Sequence, residues 1–191
     1  MAIKTFTAGS VLTASDTNTY LANSGLVYVG GGSVTSGPSV SINNCFTATY
    51  DNYRILLYNF QPATAGQSLN LRMRAGGVDA SGADYNFALS GIYVDGSQSA
   101  TYLAGGTAGQ TGMYNSATTL ALCSATIDIF NPAKAERTFM NAAASLYNSI
   151  FGHRGGIIEH NLATAYDGIT FLPSSGNFLN LQYKIYGYRQ A

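Results

Sequence analysis

The sequence predicts an all-β protein: an antiparallel β-sandwich of jelly-roll-like form, behind an N-terminal extended arm that carries a short helix. Three observations predict it. After Pro38 the apolar residues recur with a period of two, which lines one face of a strand and would scatter around a helix. Clusters such as "QPATAGQ", "GGVDASGAD", "VDGSQS", "GGTAGQTG", "FNPAKAE" and "PSSGN" interrupt these runs with the residues that chain reversals need. The composition is 46% hydrophobic with 14 Tyr and 9 Phe, yet only 9% charged, against roughly 25% in an average soluble domain. Many short strands punctuated in this way read as a sandwich or jelly roll.

Taken in order, residues 1–25 form the arm. Thr13 stands three residues before Asp16, the spacing of a capping box, and predicts a short helix over residues 15–22. A helix of that length is not stable alone in water, so the arm must dock on its own domain, a sister subunit or another protein. Phe6, Val11, Leu12, Tyr20 and Leu21 are its large apolar groups beyond Ile3, and they are the candidate partner-binding residues. "LVYV" (26–29) reads as a first strand, and "GGGSVTSGP" after it as a flexible joint.

The domain, residues 26–191, follows. "YRILLYNF" is a strongly apolar strand. In "SLNLRMRA", Leu69, Leu71 and Met73 face the core, while Arg72 and Arg74 face away and are candidates for polar contacts between subunits. "ADYNFALSGIYV" reads as a strand bent near Gly91, and "TLALCSATIDIFN" as a bulged strand or two short ones. "NPAKAE" reads as a turn leading into the strand "RTFMNAAASLY". "SIFGHRGGIIEH", "GITFLPS" and "FLNLQYKIYGYR" complete the set. The expected core is Leu69, Leu71, Met73, Ile127, Ile129, Phe171, Leu179, Leu181 and Ile185.

Nine basic residues balance nine acidic ones. This lacks the basic excess that displaces counterions from nucleic acid or attracts an anionic membrane. No stretch approaches the ~20 apolar residues of a membrane-spanning helix. "MAIKTFTAGS" has no signal-peptide pattern, so synthesis in the cytoplasm is expected. Cys45 and Cys123 lie in apolar strand-like stretches and read as buried thiols.

Catalytic patterns are missing. There is no G-x-S-x-G, Walker loop or H-E-x-x-H. His153 and His160 are seven apart, which puts them on opposite faces of a strand rather than around a metal. In "TAYDGITF" Asp167 and Gly168 are adjacent, and they read as a hairpin turn. A non-enzymatic protein with no metal and no cofactor is expected. Tyr-rich loops with Asn and Asp in turns keep a sugar-binding role open.

The segments "FTAGSVLTASD" continuing into "NTYL", then "YDNYRILLYNF", "LNLRMRAGGVDASGADYNFAL", "IDIFNPAKA", "YDGITFLPSSGNF" and "IYGYR", taken in this order, resemble a family of tailed-bacteriophage virion proteins found in head-decoration-like and tail-fibre-like contexts. The opening piece is similar to the attachment segment of such proteins, and the later pieces to their jelly-roll-like outer domain. The resemblance implies a homotrimer or similar oligomer on the virion surface, with the major capsid protein or other virion proteins as partners. Of the two stations, a head cement or decoration protein fits a chain made of one arm and one domain. The alternative is a tail-fibre or receptor-binding protein that contacts host glycans.

Overall fold

The computed structural model describes residues 7–11, 13–16, 25–116 and 123–189. The all-β expectation holds: beyond a three-residue helical turn, α1 (Ala14–Asp16), the described residues form β1 (Leu26–Val34), β2 (Val40–Ile42), β3 (Asn52–Pro62), β4 (Gln67–Ala75), β5 (Val78–Asp79), β6 (Tyr85–Tyr93), β7 (Gln98–Gly106), β8 (Gly109–Asn115), β9 (Ser124–Phe130), β10 (Thr138–Asn148), β11 (Ile150–His160), β12 (Gly168–Pro173) and β13 (Phe178–Tyr188).

All thirteen strands belong to one hydrogen-bonded sheet with a branch. One run, β1-β13-β3-β9-β10-β11-β6-β7, is antiparallel throughout. A second run, β8-β4-β12-β2 with β5 on β4, is antiparallel too. They join where β8 lies parallel to the end of β10 through only Leu146↔Tyr114 and Tyr147↔Asn115. The inward residues of both runs share one core, from Ile55, Leu57, Ile127, Ile129, Met140 and Ile185 on the larger to Leu69, Leu71, Met73, Met113, Ile169 and Phe171 on the smaller.

The alternation in β4 is as the sequence predicts, with Leu69, Leu71 and Met73 fully buried. Leu179 is a correction. It is 44% exposed, because the register with β3 shifts on either side of Asn180. A bulge adds one residue, and every side chain before it changes face. Phe178 takes the inward place and packs edge-on against Phe60 at 6.1 Å.

Three further expectations are corrected. "GGGSV" is not a joint: β1 runs through it. A Cβ on Gly31 would lie 2.7 Å from the Tyr183 carbonyl oxygen, and one on Gly32 would lie 2.8 Å from the Tyr183 hydroxyl. These glycines serve close approach rather than flexibility. "GGTAGQTG" is mostly strand, with only Thr107 and Ala108 between β7 and β8; Gly112 sits within β8 at φ 88°. Asp167-Gly168 is not a hairpin turn but the start of β12, where Asp167 accepts the Gly76 amide at 3.0 Å. "NPAKAE" is a turn ahead of β10, as expected.

Candidate functional site

In the arm, the Thr13 hydroxyl accepts the Asp16 amide at 3.1 Å, and the Asp16 carboxylate accepts the Thr13 amide at 3.3 Å and hydroxyl at 2.8 Å. The reciprocal bonds are those of a capping box, so a helix does begin where the spacing predicts. Val11 is 82% exposed. Phe6, Leu12, Tyr20 and Leu21 lie outside the described residues, as does the remainder of the expected helix from residue 17 on. The arm joins the domain at Gly25, whose carbonyl accepts the Arg189 amide. That places its root beside β1, an outer edge of the large sheet.

Arg72 and Arg74 part company. Arg72 is half-buried and its Nε donates to the Thr107 carbonyl at 2.9 Å. Arg74 is only 8% exposed. Its guanidinium donates to Asn43 Oδ1, Ser41 Oγ and Thr170 Oγ1 at 2.8–2.9 Å, and to Asp79 and the Gly77 carbonyl. The expectation that Arg74 contacts another subunit is therefore corrected. Strand alternation does turn it away from the core, but Ser41, Asn43, Asp79 and Thr170, on the strands beside it and the loop after β2, hold its donors.

The outer face of the large sheet is where the fold leaves apolar surface uncovered. Antiparallel partners project to the same side. One row across it therefore reads Tyr28, Tyr186, Arg54, Asp128, Asn141, Ile157, Ala88 and Tyr102, from β1 to β7. Its charges are paired. Arg54 holds Asp128 through two bonds of 2.7 Å, Nε to Oδ1 and Nη2 to Oδ2, and its guanidinium lies 5.5 Å from the centre of the Tyr188 ring. The hydrogen bond from Arg54 pulls the Asp128 carboxyl below its usual range. Burial, and the hydrogen bond that Tyr188 gives Asp128 at 2.6 Å, push the Tyr188 phenol up to about 12.

Toward β7 the face becomes apolar and flat. Tyr102 is 83% exposed, Ile157 58% and Ile92 53%; Phe139 and Phe151 are exposed as well. Between them stand the small residues Ala88, Ser90, Ala100 and Ala143 with Gly155 and Gly156, leaving shallow depressions of about 450 Å³ beside His153 and Gln98 and about 270 Å³ beside Tyr102. A third, of about 330 Å³, lies at the other end beside Tyr28, Tyr58, Tyr183 and Lys184.

Sequence reasoning missed this surface because it assigned β7 to turns; "TYL" between the two turn clusters was the signal. The alternation in "RTFMNAAASLY" was visible, but which face would be covered was not.

Apart from His153, the remaining His and Cys side chains are buried. His153 is on the outer face. His160 is fully buried between Tyr85 and Tyr166, at centroid distances of 4.4 and 5.1 Å, with Nδ1 3.1 Å from the Tyr166 hydroxyl. Burial lowers its pKa, against a smaller opposing pull from Asp84. Cys45 and Cys123 are free and buried. Burial pushes their thiols up to about 12 and about 11, which leaves them unreactive near neutral pH. Among the described residues, no group of three or more His, Cys, Asp or Glu could hold a metal ion, and no helix is long and apolar enough to cross a membrane.

No family model matches the chain, and no curated protein matches it. Among solved structures it is similar to the GH43 protein BlXynB of Bacillus licheniformis, at 10% identity and a TM-score of 0.34, over 73% of this chain and 27% of that one. The chain thus spans about a quarter of that protein's length, and at this score the likeness carries no argument about fold or chemistry.

Proposed function

We propose that this chain is a non-enzymatic bacteriophage virion protein, a head cement or decoration protein that docks on the capsid as a homotrimer, and that its domain is a jelly-roll-like β-sandwich. The sandwich reading is supported by two antiparallel runs that face one core and join through a two-residue bridge. The virion reading rests on the resemblance of the segments quoted above. The observation that carries the assembly reading is the pair of edges of the large sheet. β1 and β7 are nine residues each, with neither a charge nor a proline in "LVYVGGGSV" or "QSATYLAGG". Monomeric proteins usually guard such edges with charge, proline or a covering element. Here β7 instead carries exposed Tyr102, in one row with exposed Ile157 of β11, a surface suited to packing on another subunit without desolvating charge. Two different edges brought together form a head-to-tail contact, which closes into a ring when the rotation between subunits closes and runs on as a filament when it does not.

The arm, rooted at the β1 edge, is the attachment device. Arg54, Arg74, Lys134 and Arg137 engage the carboxylates of Asp128, Asp79, Asp51 and Glu159, which favours structure over hydrolysis as their work. Imaging of purified particles tests the station: hundreds of copies in trimers on the head support it, and a few copies at the tail overturn it. Deleting residues 1–23 is expected to leave the domain folded and to abolish attachment to the particle; a destabilised domain that still attaches would refute the anchor.

A second reading, a tail-fibre or receptor-binding protein that contacts host glycans, is favoured by the depression lined by Tyr28, Tyr58, Tyr183, Gln182 and Lys184, which offers aromatic rings beside polar groups. A glycan array separates the two, with binding lost on Tyr58→Ala under this reading alone.

A further inference from the structure

The fold contains two deeply buried arginines, and only one of them is neutralised. Arg154, on β11, is 8% exposed, the same as Arg74. Its Nη2 donates to Ser99 Oγ, while its Nε is buried and has no partner. All nine acidic side chains of the sequence are among the described residues. The ion pairs among the described residues use Arg54, Arg74, Lys134 and Arg137; none includes Arg154.

The side chain is closely packed at its base: a Cβ on Gly91 would lie 2.0 Å from the His153 carbonyl oxygen and 2.9 Å from Arg154 Cα. Arg154 pairs across the sheet with Gly91, and Gly91 pairs with Ser99 of the edge strand β7. The guanidinium therefore passes over a position that carries no side chain and reaches the rim of the sheet. Facing it from β8 is Gly112, held at φ 88°, where a Cβ would stand 3.8 Å from Arg154 Cγ. A guanidinium is not deprotonated in proteins. Burying one without an anion is costly unless a counter-charge or strong hydrogen bonds compensate. The side-on edge formed by Nε and Nη2 is the edge with which arginine grips an oxyanion through two parallel bonds.

We infer that Arg154, with Ser99 steering its Nη2, is a binding site for an oxyanion group, a carboxylate or phosphate, that enters from the rim beside β7. This stands apart from the virion reading. The group is either a free ion or a carboxylate of a second copy, since the chain's own acidic side chains do not pair with Arg154.

The test uses the full chain, and compares thermal melting with Arg154→Met in inorganic phosphate and in chloride at equal ionic strength, at two protein concentrations. A free ion predicts a melting temperature that rises along a saturating curve with phosphate in the wild type and stays flat in Arg154→Met. A carboxylate from a second copy predicts a rise with protein concentration that Arg154→Met loses. A wild type indifferent to both, or a variant that responds equally, overturns the inference and leaves water as the partner. If Arg154→Met does not fold, Arg154→Lys keeps the charge and loses the two-bond edge, so the response is expected at least tenfold higher in phosphate or protein concentration. An unchanged midpoint for Arg154→Lys overturns the inference as well. The Arg154 Nε–H resonance, followed by NMR during the phosphate titration, must move in the free-ion case.

Discussion

The body of the domain and the wing formed by β6, β7 and β11 are built from the same kind of strand, yet they resolve their side chains in opposite ways. In the body, the inward residues of β3, β9 and β13 share one core with those of β4, β8 and β12, and many reach zero exposure. Even Arg74, which alternation on β4 turns away from the core, is 8% exposed and held by the side chains of Ser41, Asn43, Asp79 and Thr170. In the wing no described element covers Ile92, Tyr102 or Ile157, and the buried Arg154 lacks a carboxylate. The difference separates groups that the described residues satisfy among themselves from groups that they leave exposed or without a counter-charge. An outward position ringed by polar side chains is satisfied within the chain; an apolar face ending in an uncharged edge is left open.

The comparison breaks most visibly at Arg74. Arg74→Met leaves Asp79 without its counter-charge, with the Thr170 hydroxyl still donating to it at 2.7 Å, and is expected to cost about 3 kcal/mol, the lower end for removing one partner of a buried pair, since the Asp79 side chain is 24% exposed. A urea-unfolding midpoint within error of the wild type would show that the polar ring around Arg74 is not structural. Leu71→Ala, in the same strand and facing the core, is expected to cost about 2–5 kcal/mol by lost burial and a residual cavity. A loss well under 1 kcal/mol would mean that the two layers collapse over the gap and that the body is less tightly packed than its burial indicates.

Acid is expected to act on the body through His160. Its pKa is lowered by burial in the folded state, so the unfolded chain takes up the proton first. Stability is then unaffected above the unfolded value of about 6.5 and falls as pH drops from there toward the lowered folded value. Tyr85, Tyr166 and Asp84 are the titratable groups that bear on it. His160→Phe should flatten the unfolding midpoint between pH 7 and pH 5; equal slopes for both proteins would assign the effect elsewhere. At lower pH Asp128, whose pKa is depressed by Arg54, contributes stability that is lost as pH falls through its folded value.

The smallest effect on stability is expected in the wing. Tyr102→Ser together with Ile157→Ser should change the unfolding free energy of the isolated chain by no more than about 0.5 kcal/mol each, as for surface positions in general. The same pair should weaken self-association in light scattering. A large loss of stability without a change in association would make the wing part of the body after all.

Several features were legible in the residues themselves. Period-two alternation placed Leu69, Leu71 and Met73 in the core, because side chains on a strand alternate whatever the strand pairs with. The capping-box spacing of Thr13 and Asp16 marked a helix start, since those bonds span only one turn. The turn at "NPAKAE" followed from its local chemistry. The odd separation of His153 and His160 placed one outside and one inside for the same reason of strand geometry.

What depended on distant neighbours was not legible. A bulge against β3 turned Leu179 outward, and only the pairing register contains it. Tyr183 made strand out of "GGG" by occupying the space that side chains would need. Arg72 and Arg74 are identical in type and share a face in sequence, but polar side chains from three other parts of the chain surround one and leave the other half-buried. Alternation sorts side chains into two faces. Whether a face is covered, and by what, is decided by packing between residues far apart in the chain, and so only the tertiary structure set the neutralised Arg74 against the unpaired Arg154 and left the apolar wing exposed.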